Sequence, residues 1–206
     1  MHDLTRYKEI FGEFATDVDF ISEVIDNLYL DMDDFILDVG TGMGAMSILL
    51  ALKGFRVLTG EPELDPESEE EAHHGHHHKE CDDESWNDWR TSAKTLGVEN
   101  LIKYTNFDVQ SLSVNLVNQL FDAIFLYDTM QHVKDRKNAL NECVRVLKED
   151  GVIVIIEWTK NQIEKDFKKY GFKIEYIDPR VFVDLEQVSI EELTSKAVNA
   201  YLLRKR

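Results

Sequence analysis

The chain has few of the residues that would assign it to several common classes of protein. Its 206 residues include only two cysteines, Cys81 and Cys143, so a disulfide framework is not expected. Basic residues are also scarce, since 23 Lys and Arg stand against 40 Asp and Glu and give a formal net charge of -17. An acidic surface repels phosphates, so we expect no nucleic acid and no anionic membrane surface as a partner.

Long apolar runs are missing as well. No stretch approaches about 18 apolar residues, and the first residues lack the apolar core of a secretory signal. Hydrophobic residues nevertheless make up 43% of the chain, which is enough to form a packed core. We therefore expect a soluble, cytoplasmic protein in a reducing compartment. The oligomeric state does not follow from the sequence.

The negative charge is concentrated in one segment. Between Glu61 and Asp88 there are 12 acidic residues and one basic residue, Lys79, so this segment accounts for -11 of the net charge. It also holds five of the seven histidines. We therefore expect an N-terminal helical segment at 1–34 that forms a lid or acceptor segment. A domain at 35–206 follows, with an acidic, His-rich insert loop at 62–85.

Strand and helix patterns alternate along the rest of the chain. Short apolar runs predict strands at 35–39, 55–59, 101–105, 121–127, 152–156, 172–177 and 198–204. Helical spacing predicts helices at 17–30, 45–53, 86–96, 136–147 and 164–170. This alternation favours an α/β fold with a Rossmann-like, doubly wound sheet of about seven strands and helices on both faces. The sheet should be mostly parallel with an antiparallel C-terminal strand.

The most informative segment is Ile36–Ala45, where Gly40, Gly42 and Gly44 follow a strand and open a helix. Glycines permit a tight turn and let a ligand approach the backbone, and the helix N-terminus offers free N–H groups. Glu61 ends the second strand, where a carboxylate can accept hydrogen bonds from both ribose hydroxyls. By itself this pattern also fits a dinucleotide oxidoreductase.

Asp38 favours a different ligand. It lies two residues before Gly40, at the mouth of the turn where the pyrophosphate of a dinucleotide would sit. Like charges 4 Å apart repel by about 4 kcal/mol at an effective dielectric constant of about 20. A ligand with an ammonium group and no phosphate suits this carboxylate better, and the methionine end of S-adenosylmethionine is such a ligand.

At this point the chain resembles a known family, the class I S-adenosylmethionine-dependent methyltransferases. The segment Ile36–Ala45 is similar to the family's first motif, and 107–109, 121–127 and 138–156 resemble later motifs in the same order. The run 129–133 is similar to the L-H-H-V sequence of the small-molecule, UbiE-like members, with Gln131 in place of the first His. The Asn/Asp-Pro-Pro-aromatic motif of enzymes that methylate base amines or protein amides is absent.

The resemblance implies S-adenosylmethionine as cofactor, a small-molecule acceptor, and roles for particular residues. Asp108 would meet the adenine amino group. His132 would act as general base because it follows the fourth strand at the ligand edge of the sheet, although it could instead cap a turn or line the pocket. The residues expected at the cofactor are Asp38, Gly40, Thr41, Gly42, Gly44, Glu61, Asp108, Val109 and Leu126.

The insert supports a second hypothesis, that of a metal-binding or metal-sensing protein with a methyltransferase-like domain. Imidazoles and a thiol suit Zn, Ni, Co or Cu, and His-rich tracts are potential metal binders by composition. The spacing matches no rigid site, so a solvated loop is the alternative. The candidate ligands for a divalent transition metal are His73, His74, His76, His77, His78 and Cys81.

Overall fold

The computed structural model describes residues 4–63, 88–114, 116–171 and 174–206. The α-helices in these ranges are α1 (Thr5–Phe11), α2 (Val18–Asp26), α3 (Ala45–Leu52), α4 (Trp89–Thr95), α5 (Arg136–Val146) and α6 (Lys160–Tyr170). The strands are β1 (Phe35–Val39), β2 (Arg56–Gly60), β3 (Ile102–Tyr104), β4 (Phe121–Tyr127), β5 (Leu147–Trp158), β6 (Val188–Thr194) and β7 (Val198–Lys205).

The strands form one sheet in the order β3-β2-β1-β4-β5-β7-β6. The first five strands run parallel, and β7 pairs antiparallel with both β5 and β6. The predicted Rossmann-like sheet, mostly parallel with an antiparallel C-terminal strand, is therefore confirmed. The strand order reverses between β1 and β4, so their carboxyl ends form the switch point where such sheets bind ligands.

Two apolar clusters cover the two faces of the sheet. Successive residues of a strand point to opposite faces, and accordingly Ile36 belongs to one cluster and Leu37 to the other. The first cluster includes residues of α1, α2, α3 and α4, and the second includes residues of α5. The prediction of helices on both faces is thus confirmed.

The prediction of a strand at 172–177 is wrong for the described residues 174–177, which lie in no strand. The strand beside β7 is instead β6, at the edge of the sheet. Most β6 side chains are at least partly exposed, including the adjacent Glu191 and Glu192. Charged, exposed side chains are typical of edge strands, so β6 lacks the apolar run that marks a buried strand. Ile177, which contributed to the apolar pattern of the predicted strand, is instead buried in a loop at 1% exposure.

Several element boundaries also differ from the predictions by a few residues. Helix α1 lies within the expected N-terminal helical segment, although the sequence patterns predict no separate helix at 5–11. Strand β5 begins at Leu147 rather than at Val152 because Leu147 pairs with Phe121 across an irregularity in the register. Cys143 on α5 is fully buried, and this burial raises the pKa of its thiol to about 12.

In the described part of the chain, no helix is long and apolar enough to cross a membrane.

Candidate functional site

Asp38 lies near the end of β1 and is buried, with 1% of its surface exposed. Its Oδ2 accepts hydrogen bonds from Ser47 Oγ on α3 and from Thr59 Oγ1 on β2, the latter at 3.0 Å. Its Oδ1 is buried and has no hydrogen-bond partner among the described residues. Desolvation raises the pKa of Asp38 to about 7, although the two hydroxyl donors oppose this shift. Asp38 thus joins three elements and keeps one unsatisfied acceptor atom.

The glycine turn packs tightly on two sides and is open at its centre. A Cβ at Gly40 would lie 2.8 Å from Thr129 Oγ1, and one at Gly44 would lie 2.7 Å from the Cβ of Trp89. Gly42 has a φ of 47°, and a Cβ there would meet nothing within 4 Å. The backbone of Gly42 is therefore accessible to a ligand.

Glu61 follows β2 and turns back toward the glycine turn. Its Oε1 accepts a hydrogen bond of 2.5 Å from the amide N–H of Gly42. Its own carbonyl oxygen accepts a hydrogen bond of 3.0 Å from the amide N–H of Phe107, just after β3. Thr41, another predicted cofactor residue, is buried, and its Oγ1 lies 2.9 Å from Thr59 Oγ1. The structure therefore brings the glycine turn together with Asp38 and Glu61.

The remaining predicted cofactor residues are either bonded to a residue close in sequence or buried in the core. Asp108 Oδ1 accepts hydrogen bonds from the backbone N–H and the Nε2 of Gln110, at 2.8 and 3.2 Å, at the start of the 3-10 helix Val109–Val114. Val109 and Leu126 are buried in the apolar core. The assignment of these three residues to the cofactor stays a prediction.

A second polar cluster, absent from the predictions, lies at the carboxyl ends of β4 and β5. Asp128 Oδ1 accepts hydrogen bonds from Trp158 Nε1 at 2.8 Å and from Gln131 Nε2 at 2.5 Å. Glu157 is 3% exposed, and its Oε1 accepts a hydrogen bond of 2.9 Å from the amide N–H of Met130. Desolvation raises the pKa of Asp128 to about 6 and that of Glu157 to about 8. The available signal was a carboxylate directly after each of two buried apolar runs.

Thr129 connects this second cluster to the glycine turn. Its Oγ1 lies 2.9 Å from the carbonyl oxygen of Val39 and 3.0 Å from that of Tyr127, so it can donate to either. The same atom occupies the space that a Cβ at Gly40 would need. The end of β4 is therefore held directly against the end of β1.

Helix α1 packs against the start of α3, next to the glycine turn. The hydroxyl of Tyr7 donates a hydrogen bond of 2.9 Å to the carbonyl oxygen of Ala45, and its ring centroid lies 4.5 Å from that of Phe11. Burial, and then the neighbouring Tyr127 and Asp38, raise the pKa of Tyr7 above its ordinary value. The lid role expected of 1–34 stays a prediction.

His132 is exposed at the end of the 3-10 helix Met130–His132, where its backbone N–H donates to the carbonyl oxygen of Thr129 at 3.0 Å. Its role as base stays a prediction. The predicted metal ligands lie outside the described residues, and within the described ranges no group of three or more His, Cys, Asp or Glu could hold a metal ion. The ligands in question are His73, His74, His76, His77, His78 and Cys81.

Comparison with known proteins agrees with this geometry. Residues 37–155 match the family model described as "Methyltransferase domain". The chain belongs to this family. Membership of the methyltransferase family confirms the resemblance to class I S-adenosylmethionine-dependent methyltransferases that the motifs carry.

The methyltransferase domain is also similar to a curated relative and to solved structures. It is 36% identical over 81 residues to the ubiquinone/menaquinone biosynthesis C-methyltransferase UbiE of Saccharophagus degradans. That match covers 38% of this chain and 32% of the relative, so the chain matches about a third of the relative's length.

Two solved structures share the fold of this chain. The PH0226 protein of Pyrococcus horikoshii is 14% identical with a TM-score of 0.66, over 96% of this chain and 93% of that one. A SAM-dependent methyltransferase from Aquifex aeolicus is 17% identical with a TM-score of 0.58, over 98% and 99% of the two chains. These similarities show a common fold.

Proposed function

We propose that this methyltransferase binds S-adenosylmethionine at the glycine turn and transfers its methyl group to a small-molecule acceptor. One observation carries the proposal. The accessible backbone of Gly42 donates a hydrogen bond to one carboxylate, Glu61, and follows closely in sequence after a buried carboxylate with an unsatisfied oxygen, Asp38. Family membership supports the same conclusion.

The residues present fit this cofactor. A bound ammonium group would supply the missing donor for Asp38 Oδ1 and would stabilise the ionised carboxylate, which burial alone disfavours. The carboxylate of Glu61 would accept hydrogen bonds from ribose hydroxyls. A dinucleotide would instead bring a pyrophosphate toward Asp38, with electrostatic repulsion.

The cofactor would supply a methyl carbon that its sulfonium already makes electrophilic. The protein then mainly has to position the two reactants and exclude water. Helix α1, which packs through Tyr7 against the start of α3, is placed to restrict solvent at this edge. Among acceptors, aromatic rings of the quinone-precursor type enter the proposal because UbiE is named for ubiquinone and menaquinone biosynthesis.

Calorimetric titration with S-adenosylhomocysteine tests the cofactor assignment. We expect the wild-type protein to bind it and Glu61→Ala to bind at least ~10-fold more weakly, which corresponds to about 1.4 kcal/mol. Glu63→Ala is the matched control, because Glu63 is an exposed carboxylate two residues later that contacts Asn106. Absence of binding to the folded wild-type protein, or displacement of the ligand by NADH at equal concentration, would overturn the proposal.

A further inference from the structure

We infer that Asp128 is the group that accepts the proton lost by the acceptor when it is methylated. This inference rests on the proposed function and narrows its substrate class. The acceptor would be a small molecule whose nucleophilic atom carries a proton, such as a phenol or hydroquinone, a thiol or a secondary amine. Tertiary amines and thioethers, which have no such proton, would not need this residue.

The position of Asp128 in the sheet brings it close to the proposed cofactor site. It directly follows β4, whose neighbour in the sheet is β1, with Phe125 opposite Asp38. The next residue, Thr129, lies within hydrogen-bond distance of the carbonyl oxygen of Val39. Its side chain also fills the space beside Gly40 that a Cβ there would need. The carboxyl end of β4 is therefore the edge at which an acceptor would meet a methyl group held at the glycine turn.

The orientation of the Asp128 side chain is fixed by contacts from two other elements. Its backbone has a φ of 51°, a conformation that non-glycine residues seldom adopt. Trp158 on β5 and Gln131 on the 3-10 helix both donate to Oδ1. The described residues give Oδ2 no hydrogen-bond donor, so this oxygen is the one available to an acceptor.

Burial distinguishes the two carboxylates as proton acceptors. Burial raises the pKa of Glu157 to about 8, so Glu157 is mostly protonated at neutral pH and cannot take up a further proton. Asp128, with a pKa of about 6, is mostly ionised there. The charged groups that act on the pair are Asp166 on α6 and Arg136 on α5. The neighbouring Tyr127 on β4 faces both carboxylates and also Asp17 before α2, and His132 lies on the same 3-10 helix as Gln131.

The proposed step is balanced with no further reactant. The acceptor atom forms a bond to the methyl carbon, and the carbon–sulfur bond breaks with its electron pair passing to sulfur. The proton of the acceptor atom passes to Oδ2 of Asp128 and later leaves to water. Trp158 and Gln131 act as positioning residues, because they hold Oδ1 and touch no reacting atom.

The first test needs no acceptor. Carbon-13 NMR of protein labelled at aspartate carboxyl groups would follow Asp128, with its resonance identified by loss in Asp128→Asn. We expect a titration midpoint near pH 6. Trp158→Phe keeps an aromatic side chain but removes the Nε1 donor that lowers the pKa of Asp128. The titration midpoint of Asp128 should therefore rise. An Asp128 midpoint near pH 4 that Trp158→Phe leaves unchanged would overturn the inference.

The second test measures methyl transfer from radiolabelled S-adenosylmethionine to catechol, a hydroquinone, sarcosine and 2-mercaptoethanol. On whichever probe the wild type methylates, we expect Asp128→Asn to lower turnover at least ~100-fold. The affinity for S-adenosylhomocysteine should stay within threefold, so that a loss of cofactor binding is distinguished from a loss of the base. The matched control is Asp150→Asn, which makes the same chemical change at an exposed residue near the opposite end of β5.

His132 provides the competing outcome. We expect His132→Gln to lower turnover less than Asp128→Asn does, because the side chain of His132 is exposed to solvent. The inference would be overturned if Asp128→Asn and the wild type had equal turnover, or if His132→Gln lost more turnover than Asp128→Asn. Either result would mean that a group other than Asp128 accepts the proton. Should no probe be methylated, the NMR titration decides by itself.

Discussion

The hydroxyl of Tyr7 donates a hydrogen bond to the carbonyl oxygen of Ala45 across 2.9 Å and joins the first helix of the described chain to the start of α3. Tyr7 is 3% exposed, so Tyr7→Phe would remove this hydrogen bond inside the protein. We expect the free energy of unfolding to fall by about 1 kcal/mol. Urea denaturation measures it as a lower midpoint with an unchanged slope. Tyr29→Phe, at a site 88% exposed, is the control, and equal midpoints for both variants would contradict the prediction.

Gly42 and Gly60 should respond oppositely to the same added methyl group. A Cβ at Gly60 would lie 1.9 Å from the carbonyl oxygen of Thr105, a backbone atom that cannot move aside, so Gly60→Ala should disrupt folding. The Cβ of Gly42→Ala would contact no other atom. The substitution would therefore reduce the free energy of unfolding only by the strain of an alanine in the left-handed conformation, about 1–2 kcal/mol. Gly42→Ala should therefore fold but bind S-adenosylhomocysteine more weakly. Circular dichroism and calorimetry separate the two effects, and a stable Gly60→Ala protein would refute the packing argument.

Glu157 should make the protein less stable as the pH rises. Its pKa of about 8 in the folded protein lies above its ordinary value of 4.5. The unfolded chain therefore releases this proton first, and the stabilisation present below about pH 4.5 is lost as the pH rises through 8. Each unit of pKa difference is worth about 1.4 kcal/mol, so even part of this shift moves a urea midpoint measurably.

Glu157→Gln tests this pH dependence because Gln keeps the acceptor for the Met130 amide but cannot ionise. Between pH 5 and pH 8.5, we expect its urea midpoint to fall less than that of the wild type. Glu164→Gln, on an exposed face of α6, should follow the wild-type curve. Parallel curves for the wild type and Glu157→Gln would show that burial does not hold the proton.

Cys143 should be unreactive in the native protein. Its side chain is fully buried on α5, and its raised pKa leaves almost no thiolate at neutral pH. In a Cys81→Ser background, we expect no reaction with Ellman's reagent in buffer and one thiol per chain in denaturing urea. Labelling in buffer at the rate of a free thiol would mean that α5 opens readily.

The central strands could be predicted from the sequence because they are buried on both faces. The boundaries of β1 and β4 follow directly from the apolar runs Phe35–Val39 and Phe121–Tyr127. The edge strand β6 could not be found in this way, because Val188 is the only buried side chain among its seven residues. Burial, rather than backbone conformation, is what an apolar pattern reports.

The candidate site likewise contains some residues that could be predicted from the sequence and others that could not. Gly40, Gly42, Gly44 and Asp38 lie within seven residues, so their spacing alone indicates a ligand turn. The contact between Asp128 and Trp158 spans 30 residues and depends on a left-handed backbone at Asp128. Neither the pairing of β4 with β5 in register nor that backbone angle is encoded in a local pattern.

The connection between β2 and α4 begins and ends on firmly held residues. The carbonyl oxygen of Glu61 is bonded to the Phe107 amide, and Trp89 packs against Gly44. The glycine turn therefore depends on contacts at both ends of this connection, so a substitution at Phe107 or Trp89 would disturb the turn without changing any of its own residues.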